Sequence, residues 1–246
     1  LSTMLNAGGT TSAWETITAA VPGYNTAMEI ATLKDSGLAL QPDLVVIDFC
    51  INDFGLPNFL QLEPDVWSLR EFYLGHYLTR QRIVHDKKRS WELVSAGFVH
   101  ANWNKDRTFL EDDPGRAPKK YRDMVGTNAV VRALEEFKTL AVRHRFRTVM
   151  VSFDAIPDGV RSACDRLGIP TVTCVEAQAR FVSSHAGSED ELRIPGDGHP
   201  SAVGHRLAAE TYIEAFRKLG LLEAMPPEGT ESSSPDGRGG RSNSRQ

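Results

Sequence analysis

Leu44-Val45-Val46-Ile47-Asp48-Phe49-Cys50-Ile51-Asn52-Asp53 is the stretch on which the fold of this chain turns. Leu44 to Phe49 is an almost unbroken apolar run with three β-branched residues. A strand of that kind belongs inside a parallel sheet, where both faces are covered. Pro42-Asp43 starts it, and the polar pair Asn52-Asp53 stands directly beyond its carboxyl end.

The same rhythm continues on both sides. Upstream, Thr16 to Val21 reads as a buried strand, followed by a turn at Pro22-Gly23. A helix then runs from about Thr26 to Ser36-Gly37, where the glycine can take a left-handed cap. Downstream, Val130, Leu134, Phe137 and Ala141 recur at helical spacing and lead into a strand from Thr148 to Phe153. Val160, Cys164 and Leu167 mark a helix closed by Gly168, and Thr171 to Val175 forms the next strand. Leu207, Thr211, Ala215 and Leu219 line one face of a closing helix. Strands alternating with helices in this way predict an α/β fold, a parallel sheet with helices on both faces.

Composition narrows the function classes. The 246 residues carry 28 Lys and Arg against 32 Asp and Glu, a net charge of −4, so no basic excess points to nucleic acid. No apolar run approaches the ~20 residues of a membrane-spanning helix. Cys50, Cys164 and Cys174 are odd in number and lack CxxC spacing, which argues against a disulfide scaffold or a zinc site. They suit a reducing compartment without requiring one, and cytoplasmic and secreted locations both stay open. The chain starts at Leu1 rather than Met and shows no signal peptide, so it is expected to be a fragment.

Two segments break the rhythm. Residues 226–246 contain no apolar residue, and Gly, Pro and Ser make up twelve of the 21, which predicts a disordered tail. Residues 1–225 then form a single domain, with an insertion at about 55–126. The insertion holds ten of the chain's twenty aromatics, Trp67, Trp91 and Trp103 among them. A loop of that length does not stay structureless in a compact domain, so it is expected to be helical and to sit over the strand ends. Its aromatics fit a satellite core, or a lid or acyl-chain groove.

Ligands in open parallel sheets bind beyond the carboxyl ends of the strands, and three motifs fall there. They are Gly23 after the first run, Asn52-Asp53 after the second, and Asp197-Gly198-His199-Pro200-Ser201 before the last helix. Singly, each has a structural explanation: a Pro-Gly turn, an Asx cap, and a loop into a helix beginning near Ser201. Together they offer two neutral donors for a developing oxyanion, Gly23 N–H and the Asn52 amide. The third motif adds a general base, His199, with an orienting carboxylate at Asp197.

These blocks resemble the SGNH (GDSL-type) hydrolases, a family of esterases, lipases and carbohydrate deacetylases. Ala20-Val21-Pro22-Gly23-Tyr24-Asn25-Thr26 is similar to the family's second block, Cys50-Ile51-Asn52-Asp53 to its third, and Asp197 to Ser201, followed by Gly204-His205, to its fifth. The resemblance runs from about Thr16 to Leu222. It implies a flavodoxin-like three-layer α/β/α sandwich and serine-based ester hydrolysis without a cofactor. The implied site has His199 as base, Asp197 as its partner, and Gly23 and Asn52 as the oxyanion hole. The substrate would be a small-molecule ester, an acylated glycan or a lipid, and transfer to another alcohol is not separated from hydrolysis.

Three departures stand out. Cys50 replaces the usual glycine of the third block. The fifth block reads Asp-x-His where Asp-x-x-His is usual. The first block, Gly-Asp-Ser, is absent: only 22 residues precede Gly23, and neither Ser2 nor Ser12 has that context. The nucleophile is therefore expected upstream of Leu1, with Leu1 to Asn6 as the end of the first helix, and the chain alone is expected to be inactive.

A second function class is a non-catalytic binding module that uses the same scaffold for an acylated or glycan ligand. A metal-dependent phosphoesterase built on Asp48, Asp53 and His199 is a weaker third. His205, His76, His85 and His100 read as structural or exposed, and Lys87-Lys88-Arg89 as a solvated surface.

Overall fold

A computed structural model of the chain describes residues 2–6, 13–56, 117, 119–184, 189–196 and 198–223. Most of the insertion, the C-terminal tail, Asp197, His76, His85, His100 and the Lys87-Lys88-Arg89 run lie outside the described residues. In chain order the elements are α1 (Ser2–Asn6), α2 (Thr26–Asp35), β1 (Leu44–Asp48), α3 (Thr127–His144), β2 (Arg147–Ser152), α4 (Asp158–Leu167), β3 (Thr171–Thr173), α5 (Val175–Ser184) and α6 (Ala202–Lys218). The fold is mixed α/β.

The three strands form one parallel sheet in the order β1-β2-β3. Leu44 pairs with Arg147 and Asp48 with Val151, while Met150 pairs with Thr171 and Ser152 with Thr173. Alternation along the strands divides the apolar side chains between two cores. Ile47, Phe49 and Met150 meet Ile30 of α2, Leu134 and Phe137 of α3, and Val160 and Cys164 of α4. Val149, Val151 and Val172 meet Phe216 of α6 and Leu221 just beyond it. Helices thus cover both faces. Each fully buried side chain, Phe137 for example, contributes about 1.5–3 kcal/mol through the apolar surface it removes from water.

Local chemistry sets the helix ends. Asn25 caps α2, its side chain accepting from Met28 N–H, and Ser201 caps α6, accepting from Val203 and Gly204 N–H. Gly168 ends α4 in the left-handed region at φ 62°, as its sequence position predicts. Gly37 does not play that part for α2. It opens a 3-10 turn, Gly37–Leu40, and the left-handed residue is Gln41 at φ 50°.

Three further expectations are corrected. Thr16 to Val21 forms no strand: the segment is irregular, and Ile17 is 58% exposed. A β-branched run becomes a strand only beside a hydrogen-bonding neighbour, and none lies alongside it among the described residues. Among the described residues β1 itself pairs on one side only, and Val46, on its α6-facing side, is 40% exposed. β3 stops at Thr173, and Val175 opens α5 instead, with Gln178 N–H bonded to the Cys174 carbonyl. In α6 the buried residues are Gly204, Ala208, Ile213 and Phe216, and Leu219 is exposed. The packed face is rotated from the expected Leu207, Thr211, Ala215 and Leu219 because the large ring is at 216. Among the described residues, no helix is long and apolar enough to cross a membrane.

Candidate functional site

The carboxyl ends of β1 and β2 carry the loops that matter. Beyond β1, Phe49 N–H still bonds to the Val151 carbonyl, and a 3-10 turn, Ile51–Phe54, then presents Asn52 and Asp53. Asp53 is buried, whereas the Asn52 side chain is half-buried. No hydrogen bond of the Asn52 side chain occurs among the described residues, and its Oδ1 is enclosed without a donor. An unsatisfied buried acceptor costs about 1–3 kcal/mol, and the Asn52 Oδ1 is one of three buried side-chain polar atoms without a partner among the described residues.

Gly23 stands at the third position of the turn Val21-Pro22-Gly23-Tyr24, closed by Tyr24 N–H to the Val21 carbonyl at 3.1 Å. Its φ of 81° is the left-handed value that a type II turn requires there, and proline at the second position suits the same turn. The turn bond uses Tyr24 N–H and leaves Gly23 N–H uncommitted among the described residues.

The two loops are cross-tied. Asn25 Nδ2 donates to the Gly55 carbonyl at 2.9 Å and to the Met124 carbonyl at 2.7 Å. The Thr26 hydroxyl donates to Asp53 Oδ2 at 2.8 Å. Motif reading singles out Gly23 and Asn52 but passes over Asn25 and Thr26, whose partners lie far away in sequence. Their only visible signal is polar residues directly after a turn.

His199 is exposed, in the loop between α5 and α6, and the described part of that loop is hairpin-like. Arg193 bridges Pro200, Ile194 N–H bonds to the His199 carbonyl at 2.8 Å, and Ser201 N–H bonds to Leu192 at 2.8 Å. Arg193 then anchors the loop to the end of β2. Its guanidinium donates to Gly198 O and to Asp154 Oδ1, and lies 5.1 Å from the Phe153 ring centre. The loop bearing His199 is therefore held to the strand end beside the one that carries Asn52. Arg193 is a third residue that motif reading misses.

Behind Asn52 lies a set of carboxyl groups. Burial, then the nearby Asp48, pushes Glu29 up to about 7. Asp53 is held well above the usual carboxylate range by burial, then by Glu29, against the opposing hydrogen bond from Thr26. Asp48 reaches solvent on the uncovered side of β1 but is enclosed elsewhere. That enclosure lifts it to about 6, against the pull of His205. Cys50 is exposed on one side; enclosure on the others raises its thiol, opposed by the Asn52 backbone N–H directed at the sulfur. Among the described residues, no group of three or more His, Cys, Asp or Glu is arranged to hold a metal ion.

Comparison with family models, with curated proteins and with solved structures finds no match to this chain.

Proposed function

We propose that the chain carries the oxyanion and base half of an ester hydrolase site of the SGNH (GDSL) type, on the corresponding flavodoxin-like three-layer scaffold. What supports this is a pair of donors that are uncommitted among the described residues. Gly23 N–H and the Asn52 amide sit on two loops tied by Asn25 and by the Thr26–Asp53 bond. Two neutral donors on a rigid frame suit a charge that develops on a carbonyl oxygen.

The chemistry is a two-step acyl transfer. A serine Oγ attacks the ester carbonyl carbon while His199, oriented by Asp197, takes the hydroxyl proton. The tetrahedral oxyanion is held by Gly23 and Asn52. Its collapse breaks the bond to the alcohol, which leaves with the proton from His199. Water, deprotonated by His199, then attacks the acyl-enzyme and releases the acid. The 246 residues contain no Gly-Asp-Ser triplet, so the serine is expected from polypeptide outside them. The substrate class is a small ester, an acylated glycan or a lipid.

Hydrolysis of a short-chain chromogenic ester tests this. The 246-residue chain is expected to be inactive. The chain extended through its upstream reading frame is expected to turn over, and His199→Ala in that form to abolish turnover. Activity of the 246-residue chain that survives His199→Ala would overturn the assignment. An extended chain that binds acylated ligands without hydrolysing them would favour the binding module instead.

A further inference from the structure

We propose that Thr26 is a positioning residue, whose bond to Asp53 sets the spacing of the two oxyanion donors. This rests on the function proposed above and adds a residue to the machinery of that site.

The argument starts from chain adjacency. Thr26 is three residues beyond Gly23, and Asp53 directly follows Asn52. One side-chain bond, Thr26 Oγ1 to Asp53 Oδ2, therefore joins the immediate supports of both donors. Asn25 adds ties from the same corner to Gly55 and Met124, while its Oδ1 holds the first turn of α2.

The second step is burial. Asn25, Thr26 and Asp53 are 1%, 0% and 4% exposed. Enclosing a carboxyl group beside Glu29, with no cation bonded to it among the described residues, costs stability. Removing the Thr26 hydroxyl alone would leave the Asp53 carboxyl without that donor, whereas apolar residues of similar shape at both positions are often neutral or stabilising. A bond kept at that cost confers geometry rather than cohesion. Displacements of about 1 Å between reacting groups can cost about a hundredfold, so fixing the spacing of Gly23 and Asn52 is worth more than the packing it displaces.

The oxyanion hole can be tested without the nucleophile. The probe is methylphosphonate, a tetrahedral oxyanion, titrated into the 246-residue chain. The signals followed by NMR are the Gly23 backbone N–H and the Asn52 side-chain amide, with every variant held below its measured Tm. In the parent chain both signals are expected to move saturably. Thr26→Val, which keeps the shape but removes the hydroxyl, is expected to weaken binding about tenfold or more. Thr26→Ser, which restores the hydroxyl, is expected to bind within about threefold of the parent.

Parent-like binding by Thr26→Val, or loss in both variants, would overturn the positioning role and leave the proposed function standing. No movement of either signal in the parent chain would overturn the oxyanion hole itself, and the positioning role with it. If Thr26→Val does not fold, Thr26→Ala, which leaves room for water beside the carboxyl, replaces it with the same expectation.

Discussion

Gly204 lies so close to the Leu192 carbonyl oxygen that a Cβ at position 204 would stand 2.3 Å from it. The Phe153 ring and Pro200 Cβ would be 3.2 Å away on the other sides. The glycine is helical and carries no unusual φ, so close approach alone explains it. Through this contact the first turn of α6 rests on the base of the His199 loop. Gly204→Ala must push that loop away from α6 or break the Ser201 cap. Overpacking of this kind costs about 1–3 kcal/mol, and a lowered Tm by calorimetry is the expected result. A Tm unchanged within a degree would show that the loop yields freely.

Arg193 fixes the same loop from the other end. Arg193→Ala removes the bonds to Asp154 and Gly198 and the contact with the Phe153 ring. Because Asp154 is half exposed, the stability cost is modest, about 0.5–1 kcal/mol. The larger effect expected is local: faster amide hydrogen exchange at Ile194 and Gly198, with β2 unchanged. Arg193→Lys keeps the charge but not the two-pronged geometry, and is expected to recover only part of the protection.

Burial, then Asp48, raises Glu29 in the folded chain from the ordinary 4.5 to about 7. Between those values the folded chain holds a proton that the unfolded chain has released. Its stabilising contribution is therefore complete below about pH 4.5 and is lost as the pH rises through about 7. The whole effect is at most about 3–4 kcal/mol, at about 1.4 kcal/mol per pH unit. Glu29→Gln is expected to flatten the fall in Tm between pH 5 and pH 8, Asp53 contributing in the same direction. Unfolding curves with the same pH slope in parent and variant would exclude Glu29 as the source.

Much of the fold is legible from residues whose environment is decided locally. Leu44 to Phe49 and Thr148 to Phe153 are largely apolar runs, and any sheet that buries both faces accepts them as strands. The Gly168 stop needs only a residue that tolerates positive φ. Thr16 to Val21 has equal β propensity but needs a ladder partner, which no property of the segment reveals. The closing helix was legible as a helix, but its buried face depends on where Phe216 and Gly204 meet the sheet. At the site, turn chemistry and position after a strand mark Gly23 and Asn52. Asn25, Thr26 and Arg193 act through partners 27 to 99 residues away, and sequence spacing holds no trace of those pairings.

The free side of β1 carries a last consequence. Leu44-Val45-Val46-Ile47 has neither charge nor proline, pairs with β2 only among the described residues, and leaves Val46 partly open to solvent. An edge strand whose one charge is at its carboxyl end is a template for another chain, and natural edges are commonly blunted by lysine. Concentration-dependent association is therefore expected of the 246-residue chain. Val46→Lys is expected to suppress it, because the long side chain can reach water from a half-open position while its stem covers apolar surface. Val46 lies outside both buried cores, so the Tm is expected to fall by no more than a few degrees. Light scattering across a concentration series, with the Tm of each protein, separates the cases. Association that persists in Val46→Lys would place the sticky surface elsewhere.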